Sequence, residues 1–397
     1  MISNLLKEIL KIKNGITIVM SFLFCFTLNA QKKSLIKRIE SNFEQRQKRK
    51  DSLISAGQPF LSIFAGPGYT PEAGLLIGGG ILYTFSTDPS NPNMQRSSIP
   101  LMGSISTRGN VGLSSVINTF WLEDKLRAKL IAKYSNVRDD YFGIGYDLNE
   151  GIEKGKETST YNRTLLWLQP KIDVKLIPNL FVGLSYVFSR FKVKEANEIM
   201  SEDPNFIAFG DLINESGFSY SLTYDSRDVI VNAYSGIYAN VSYYKPSSSL
   251  GGNQDYEVYE LDLRYYQKIN RNGNTLAFRA YGRQAKGNVP YSGMSLIGST
   301  DLLRGYLNGQ YRDKTGVAAI GEWRYMFLKK DGQMSKSGIT TWLAAVSVAE
   351  NLGELEHWLP NAGIGYRLEL QPRMNLRIDL GIGKNSSGLY FNMTEAF

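Results

Sequence analysis

Three features of the chain point to an all-β protein, a transmembrane antiparallel β-barrel of sixteen strands. The first is strict alternation late in the sequence: Met374, Leu376, Ile378, Leu380 and Ile382 are separated by Asn375, Arg377 and Asp379. Strand side chains point to opposite faces with period two, so this segment has one apolar face and one charged face. The second is that no run after residue 30 approaches eighteen apolar residues. Helical spans are thereby excluded, and a closed barrel is the remaining way to cross a bilayer with every backbone group paired. The third is composition: 38 glycines and 24 tyrosines suit strand turns and interfacial aromatic girdles. A mean hydropathy of −0.23 fits strands that turn half of their side chains to water.

The N-terminal residues 1–30 read as a secretory signal. Lys7, Lys11 and Lys13 form a positive region, Ile16 to Leu28 an apolar stretch, and Ala30 the small residue before a cut at Gln31. The competing reading, a membrane anchor, fails on length, because this largely apolar stretch of 13 residues falls short of the about 20 that span a bilayer. The single cysteine, Cys25, lies inside this segment, so the mature chain is expected to hold no disulfide. Residues 31–57 form a basic periplasmic lead-in with Lys32, Lys33, Lys37, Arg38, Arg46, Lys48, Arg49 and Lys50. Residues 1–57 carry eleven Lys/Arg against four Asp/Glu, which leaves 34 against 33 for the barrel domain of residues 58–397. The lead-in is either a solvated segment or one that touches anionic headgroups of the inner leaflet. A secreted chain does not meet nucleic acid, so that partner is excluded.

From residue 58 the alternating runs are 58–66, 72–86, 97–107, 110–121, 125–136, 161–176, 180–193, 216–225, 236–245, 256–268, 274–285, 316–328, 338–349, 361–371, 374–383 and 388–397. Glycine blurs the periodicity of the first four. Later runs are clear: Tyr259, Leu261, Leu263 and Tyr265 face lipid while Glu260, Asp262 and Arg264 face inward. Trp323, Tyr325 and Phe327 alternate in the same way with Glu322 and Arg324. A Lys or Arg on the lipid face near the midplane costs about 2–4 kcal/mol, so each register is fixed against a one-residue slip. With both ends periplasmic, the short turns at 176–179 and 270–273 fall inside and the long loops 137–160, 194–215, 246–255 and 286–315 outside.

Chemistry-bearing motifs are few. The only histidine, His357, lies in an outer loop beside Trp358, with nothing to align it with a nucleophile. No enzymatic activity and no cofactor or metal is expected. Asp139-Asp140 reads as a solvated loop pair, and Gly78-Gly79-Gly80 as a bend or close approach within a strand. The loop 287–315 is the most informative, because it carries Leu303, Arg304, Gly305 and Tyr306 ahead of a strand with inward Glu322 and Arg324. An arginine there can reach an acidic wall, and guanidinium–carboxylate pairs have strong geometric preference.

These residues resemble the arginine-glycine-aromatic motif of the BamA/TamA-type outer-membrane assembly factors, the bacterial surface antigen barrels. The likeness runs over most of residues 58–397. It includes Gly68 to Gly74, the turn motif Asp225, Arg227 and Asp228 with Ser235-Gly236, Gly321 to Arg324, Gly363 to Arg367, and a terminal strand with Phe391 and closing Phe397. The resemblance implies a bacterial outer-membrane location and sixteen strands. It also implies a loop folded into the lumen with Arg304 as anchor and Glu322 or Arg324 as partners, and a weak seam between first and last strands. It implies insertion or translocation of a protein or lipid client, with outer-membrane lipid and a periplasmic accessory protein as partners. A passive channel, receptor or structural barrel is the alternative. Two departures stand out. The 27 residues between Ala30 and the first strand are too few for a POTRA module, and Leu343 to Ser347 lack the inward acid of related barrels, so no second carboxylate for Arg304 is expected from that strand.

Overall fold

In the computed structural model the described residues are 52–53 and 56–397, apart from 71, 92–93, 153, 156–157, 299–301, 372 and 385. The signal reading and nearly all of the lead-in therefore fall outside the described residues.

Sixteen strands close into one antiparallel barrel. They are β1 (Phe60–Thr70), β2 (Gly74–Phe85), β3 (Ser97–Ser106), β4 (Val111–Trp121), β5 (Leu126–Asp140), β6 (Thr160–Ile177), β7 (Leu180–Glu195) and β8 (Leu212–Asp225), followed by β9 (Gly236–Pro246), β10 (Tyr256–Lys268) and β11 (Asn274–Gly287). The wall is completed by β14 (Thr315–Leu328), β15 (Met334–Ala349), β16 (Leu359–Gln371), β17 (Met374–Gly383) and β18 (Ser386–Met393). Two further strands, β12 (Ser295–Ile297) and β13 (Tyr311–Asp313), pair with each other inside the loop between β11 and β14. Short helices α1 (Tyr146–Gly151), α2 (Glu198–Glu202) and α3 (Pro204–Phe209) cap the outer loops.

Each alternating run of the sequence corresponds to a wall strand. The largest differences are that β1 runs on to Thr70 instead of stopping at 66, β5 runs on to Asp140 instead of 136, β8 starts at Leu212, β15 starts at Met334, and β18 stops at Met393 instead of continuing to 397. Thr394 takes a φ of 66° and turns residues 394–397 into the barrel. Phe397 is consequently buried beside Tyr266, Ala277 and Ile320 and does not extend a lipid-facing strand.

The burial pattern obeys the lipid-outside rule. Tyr259, Leu261, Leu263 and Tyr265 are exposed on the outer wall, while Asp262 is buried and paired with Arg264 and Arg279 at 2.5 and 2.9 Å. Trp323, Tyr325 and Phe327 form an outward aromatic row, with ring centroids 5.5 and 6.1 Å apart, near the ends that carry the short turns. Connections alternate as expected: 178–179, 269–273 and 329–333 lie on one side, and 141–159, 196–211, 247–255 and 288–314 on the other. Neighbouring strands are paired over long registers, with eight residue pairs between β17 and β18. The closure of β1 on β18 is recorded at Tyr69↔Phe391.

Candidate functional site in the barrel lumen

The loop 288–314 turns back into the lumen, and its tip is among the most buried parts of the protein: Leu303 and Tyr306 are fully enclosed and Arg304 is 2% exposed. Leu303 and Tyr306 pack with Ile297, Tyr311, Val346 and Leu359, so the hairpin β12–β13 gives the loop an apolar base. From that base Arg304 projects toward the wall. Its Nη2 donates to Glu322 on β14 at 2.5 Å and its Nη1 to Asp379 on β17 at 2.8 Å. The guanidinium lies 3.5 Å from the ring centroid of Trp342 on β15, a cation–π stack that covers its face.

The pairing continues until it closes on itself. Glu322 accepts from Arg324 Nε at 2.7 Å, and Arg324 approaches Glu395 at 3.9 Å. Glu395 accepts from Arg367 Nε at 2.8 Å, and Arg367 Nη1 donates to Asp379 at 2.6 Å. Three guanidinia and three carboxylates thus alternate in a ring, with Arg377 at 3.5 Å from Asp379 as a fourth cation. Every carboxylate has at least two cationic neighbours, which is what lets charges be held away from water. The ring joins the loop tip, β14, β16, β17 and the tail 394–397. Burial works against the charge on Glu395, but the Arg367 and Arg324 guanidinia outweigh it and hold its carboxyl below the usual range.

Backbone contacts make the loop tip fit one place only. Gly305 N donates to Tyr390 Oη on β18 at 2.9 Å, Tyr306 Oη donates to Pro360 O at 2.9 Å, and Lys384 N donates to Tyr306 Oη at 2.7 Å. Asn361 Nδ2 donates to Arg304 O and Ser386 Oγ to Gly305 O. Gly305 has a φ of 115°, and a Cβ there would stand 2.9 Å from Gly381 C and 3.0 Å from Ile382 N. Gly305→Ala is expected to destabilise by about 1–3 kcal/mol through backbone strain and to lift the tip off β17. Trypsin added to the outer face should then cut after Arg304 or Arg312 in the variant and spare the parent; equal protection would contradict the fit.

The residues marked in the sequence divide into two groups. Leu303, Arg304, Gly305, Tyr306 and Glu322 come together. Arg324 joins the set through Glu322 and the Phe397 carbonyl, to which its Nη2 donates at 2.8 Å, and it does not touch Arg304. Phe391 sits on β18 opposite Tyr69, away from the ring. Asp225, Arg227 and Asp228 lie at the opposite mouth: Arg227 forks onto Asp225 at 2.8 and 2.9 Å, and Asp228 accepts from Arg373 Nη2 at 2.8 Å, linking that turn to the β16–β17 turn. Asp139 and Asp140 are not a solvated pair. They end β5 and are buried, bound to Arg163 at 2.7 Å and Lys154 at 3.1 Å. His357 stacks on Tyr146 with centroids 4.3 Å apart. Among the described residues no group of three His, Cys, Asp or Glu side chains could hold a metal ion.

Sequence reasoning missed Asp379, Arg367, Glu395, Trp342 and Tyr390 as members of the set. The second carboxylate absent from residues 343–347 is supplied by Asp379, two strands further along the wall. The available signal was the run of inward charges on neighbouring strands, each of which needs a partner.

A closed lipid-facing barrel with a loop anchored in its lumen defines a class of bacterial outer-membrane protein. The profile of the Omp85 superfamily domain matches residues 97–397, and the chain belongs to that superfamily. An Omp85-type barrel is a bacterial outer-membrane fold. No curated protein matches the chain. Among solved structures it resembles BamA from Haemophilus ducreyi lacking POTRA domains 1–3, with a TM-score of 0.57, 15% identity, and coverage of 84% of this chain and 70% of that one. CdiB from Escherichia coli gives 0.55 at 8% identity, covering 90% and 70%. CdiB from Acinetobacter baumannii gives 0.53 at 13% identity, covering 85% of this chain and 59% of that one.

Proposed function

We propose that the protein inserts or translocates a protein or lipid client at the outer membrane by parting β1 from β18, with the Arg304 loop as the clasp over that closure. One observation carries the reading: the loop holds both edges of the seam. Its tip is bonded to Tyr390 on β18, and Asn308 N donates to Glu72, in the turn after β1, at 2.9 Å. Superfamily membership supports the general role. The role needs no catalytic group, and a periplasmic accessory protein would deliver the client.

Tyr69→Cys/Phe391→Cys tests it. Opposed residues of an antiparallel ladder have Cα atoms about 4.5–5.5 Å apart, within the span of a disulfide. Vesicles carrying the pair are assayed for folding of a urea-unfolded eight-stranded outer-membrane barrel and for transfer of a fluorescent phospholipid. Oxidation is expected to slow at least one process by about tenfold or more, with recovery on reduction. Equal rates of both in the two redox states would overturn the seam reading and leave the second one, a structural or passive barrel.

A further inference from the structure

The outer wall carries one strongly cationic face. Along β7 the outward residues from the short-turn end are Leu180, Val182, Leu184, Tyr186 and Phe188, followed by Arg190, Lys192 and Lys194. A strand rises about 3.3 Å per residue and tilts about 35–45° in such barrels. Ten residues from Leu180 therefore climb about 25 Å, the height of the apolar band. Arg190 stands at the upper edge of that band, and Lys192 and Lys194 stand above it.

Neighbouring strands draw the same boundary. Leu166 on β6 pairs with Arg190 and Thr164 with Lys192, so apolar gives way to polar at one level. Across β6, Asn162 pairs with Arg138 on β5 and Thr164 with Asn136. Lys194 Nζ donates to Asn136 Oδ1 at 3.1 Å, which places it over the outside of β6. Arg138, Arg190, Lys192 and Lys194 are all exposed. Among the described residues none of the four is in an ion pair, and Glu195, at the edge of the group, accepts from Asn162. The rim on β9–β11 differs: there Lys245 faces Glu257 at 3.7 Å, and Glu257 also accepts from Tyr243 and Tyr259.

We infer that this β5–β7 face binds the phosphate-bearing headgroup of an outer-leaflet glycolipid. The occupant follows from position and charge. Four unpaired cations lie at headgroup depth on the long-loop side, directly above a wall that acyl chains must cover. Guanidinium and ammonium groups spaced along one strand match a headgroup with more than one phosphate, with Arg supplying the forked contact. The side-chain amide of Asn162 can serve the sugar. The face lies away from the β1–β18 closure, so the inference does not depend on the seam.

The test uses the folded protein in non-ionic detergent, titrated with a diphosphorylated acylated disaccharide and with the same lipid lacking phosphates, and read by native mass spectrometry. The parent should retain the phosphorylated form. Arg190→Gln/Lys192→Gln/Lys194→Gln, and separately Lys192→Glu, should lose about tenfold or more in affinity, while Lys245→Gln/Lys286→Gln on the other rim keeps it. Heat-dependent gel mobility confirms that each variant is folded. Equal binding by the triple variant, equal retention of the phosphate-free lipid, or displacement by an equal concentration of inorganic phosphate would each overturn the assignment.

Discussion

Asp379→Asn is expected to lower the stability of the barrel by about 3–5 kcal/mol, the range for removing one partner of a buried ion pair. Asp379 is fully buried and faces Arg304, Arg367 and Arg377 at 2.8, 2.6 and 3.5 Å. The amide keeps the shape but leaves three guanidinia gathered round a neutral group. Their mutual repulsion is then offset only by the more distant side of the ring, where Glu322 still holds Arg304 and Glu395 still holds Arg367. The same change frees one arm of Arg304, so the loop tip should also loosen. Urea unfolding in lipid vesicles, followed by tryptophan fluorescence, gives the stability, and outside proteolysis of loop 288–314 gives the release. A double-mutant cycle with Arg304→Met apportions the effect, since residues that share an ion pair couple strongly and distant ones add. An unchanged unfolding midpoint with a protected loop would show that the ring does not hold the loop.

The contrast with apolar replacement gives the ring its meaning. A buried ionic set is weak evidence for stability in itself, because well-packed apolar residues of similar volume are often as good. What a ring of six charges supplies is a shared arrangement, since moving Arg304 takes one guanidinium from Glu322 and from Asp379 together and leaves them to Arg324, Arg367 and Arg377. A loop held in this way is expected to dock or release as a unit. A clasp over a seam requires that property, and a passive barrel would not use it.

The barrel was legible because hydrocarbon punishes error. A register slip on β10 would put Glu260, Asp262 and Arg264 into lipid, so alternation alone locates the strand and its faces. Loop sides followed from strand parity. The lumen was less legible, because a sequence period tells which side chains point inward but not which of them meet. Arg304 and Asp379 are 75 residues apart, and only the fold of the β12–β13 hairpin brings the loop tip down to β17. The end of β18 did carry an overlooked signal. Leu389 and Phe391 face outward, so strict alternation through Met393 would send Glu395 toward lipid as well. The carboxylate forbids that continuation, and the chain turns at Thr394 instead.

That turned-in tail yields the second large effect. Glu395→Gln should cost about 1.5–3 kcal/mol near neutral pH, the range for hydrogen bonds to a charged group, and Phe397→Ala about 3–5 kcal/mol as a large-to-small change in a packed cluster. Glu395 accepts from Arg367 at 2.8 Å and from Asn375 at 2.7 Å, while the Phe397 ring lies 5.0 Å from the Arg324 guanidinium. The two variants separate by their pH dependence. The folded-state pKa of Glu395 is depressed, so its share of stability is fully present above the ordinary glutamate value of about 4.3 and is lost as pH falls through the lower folded value. The gap between parent and Glu395→Gln should therefore narrow on acidification. The gap for Phe397→Ala should persist, because the contact it removes carries no proton. Measured by urea midpoints at neutral pH and at about pH 3, a Glu395→Gln gap that stayed constant would place that carboxyl outside the ring of charges. A Phe397→Ala gap near zero at both values would place the tail outside the lumen.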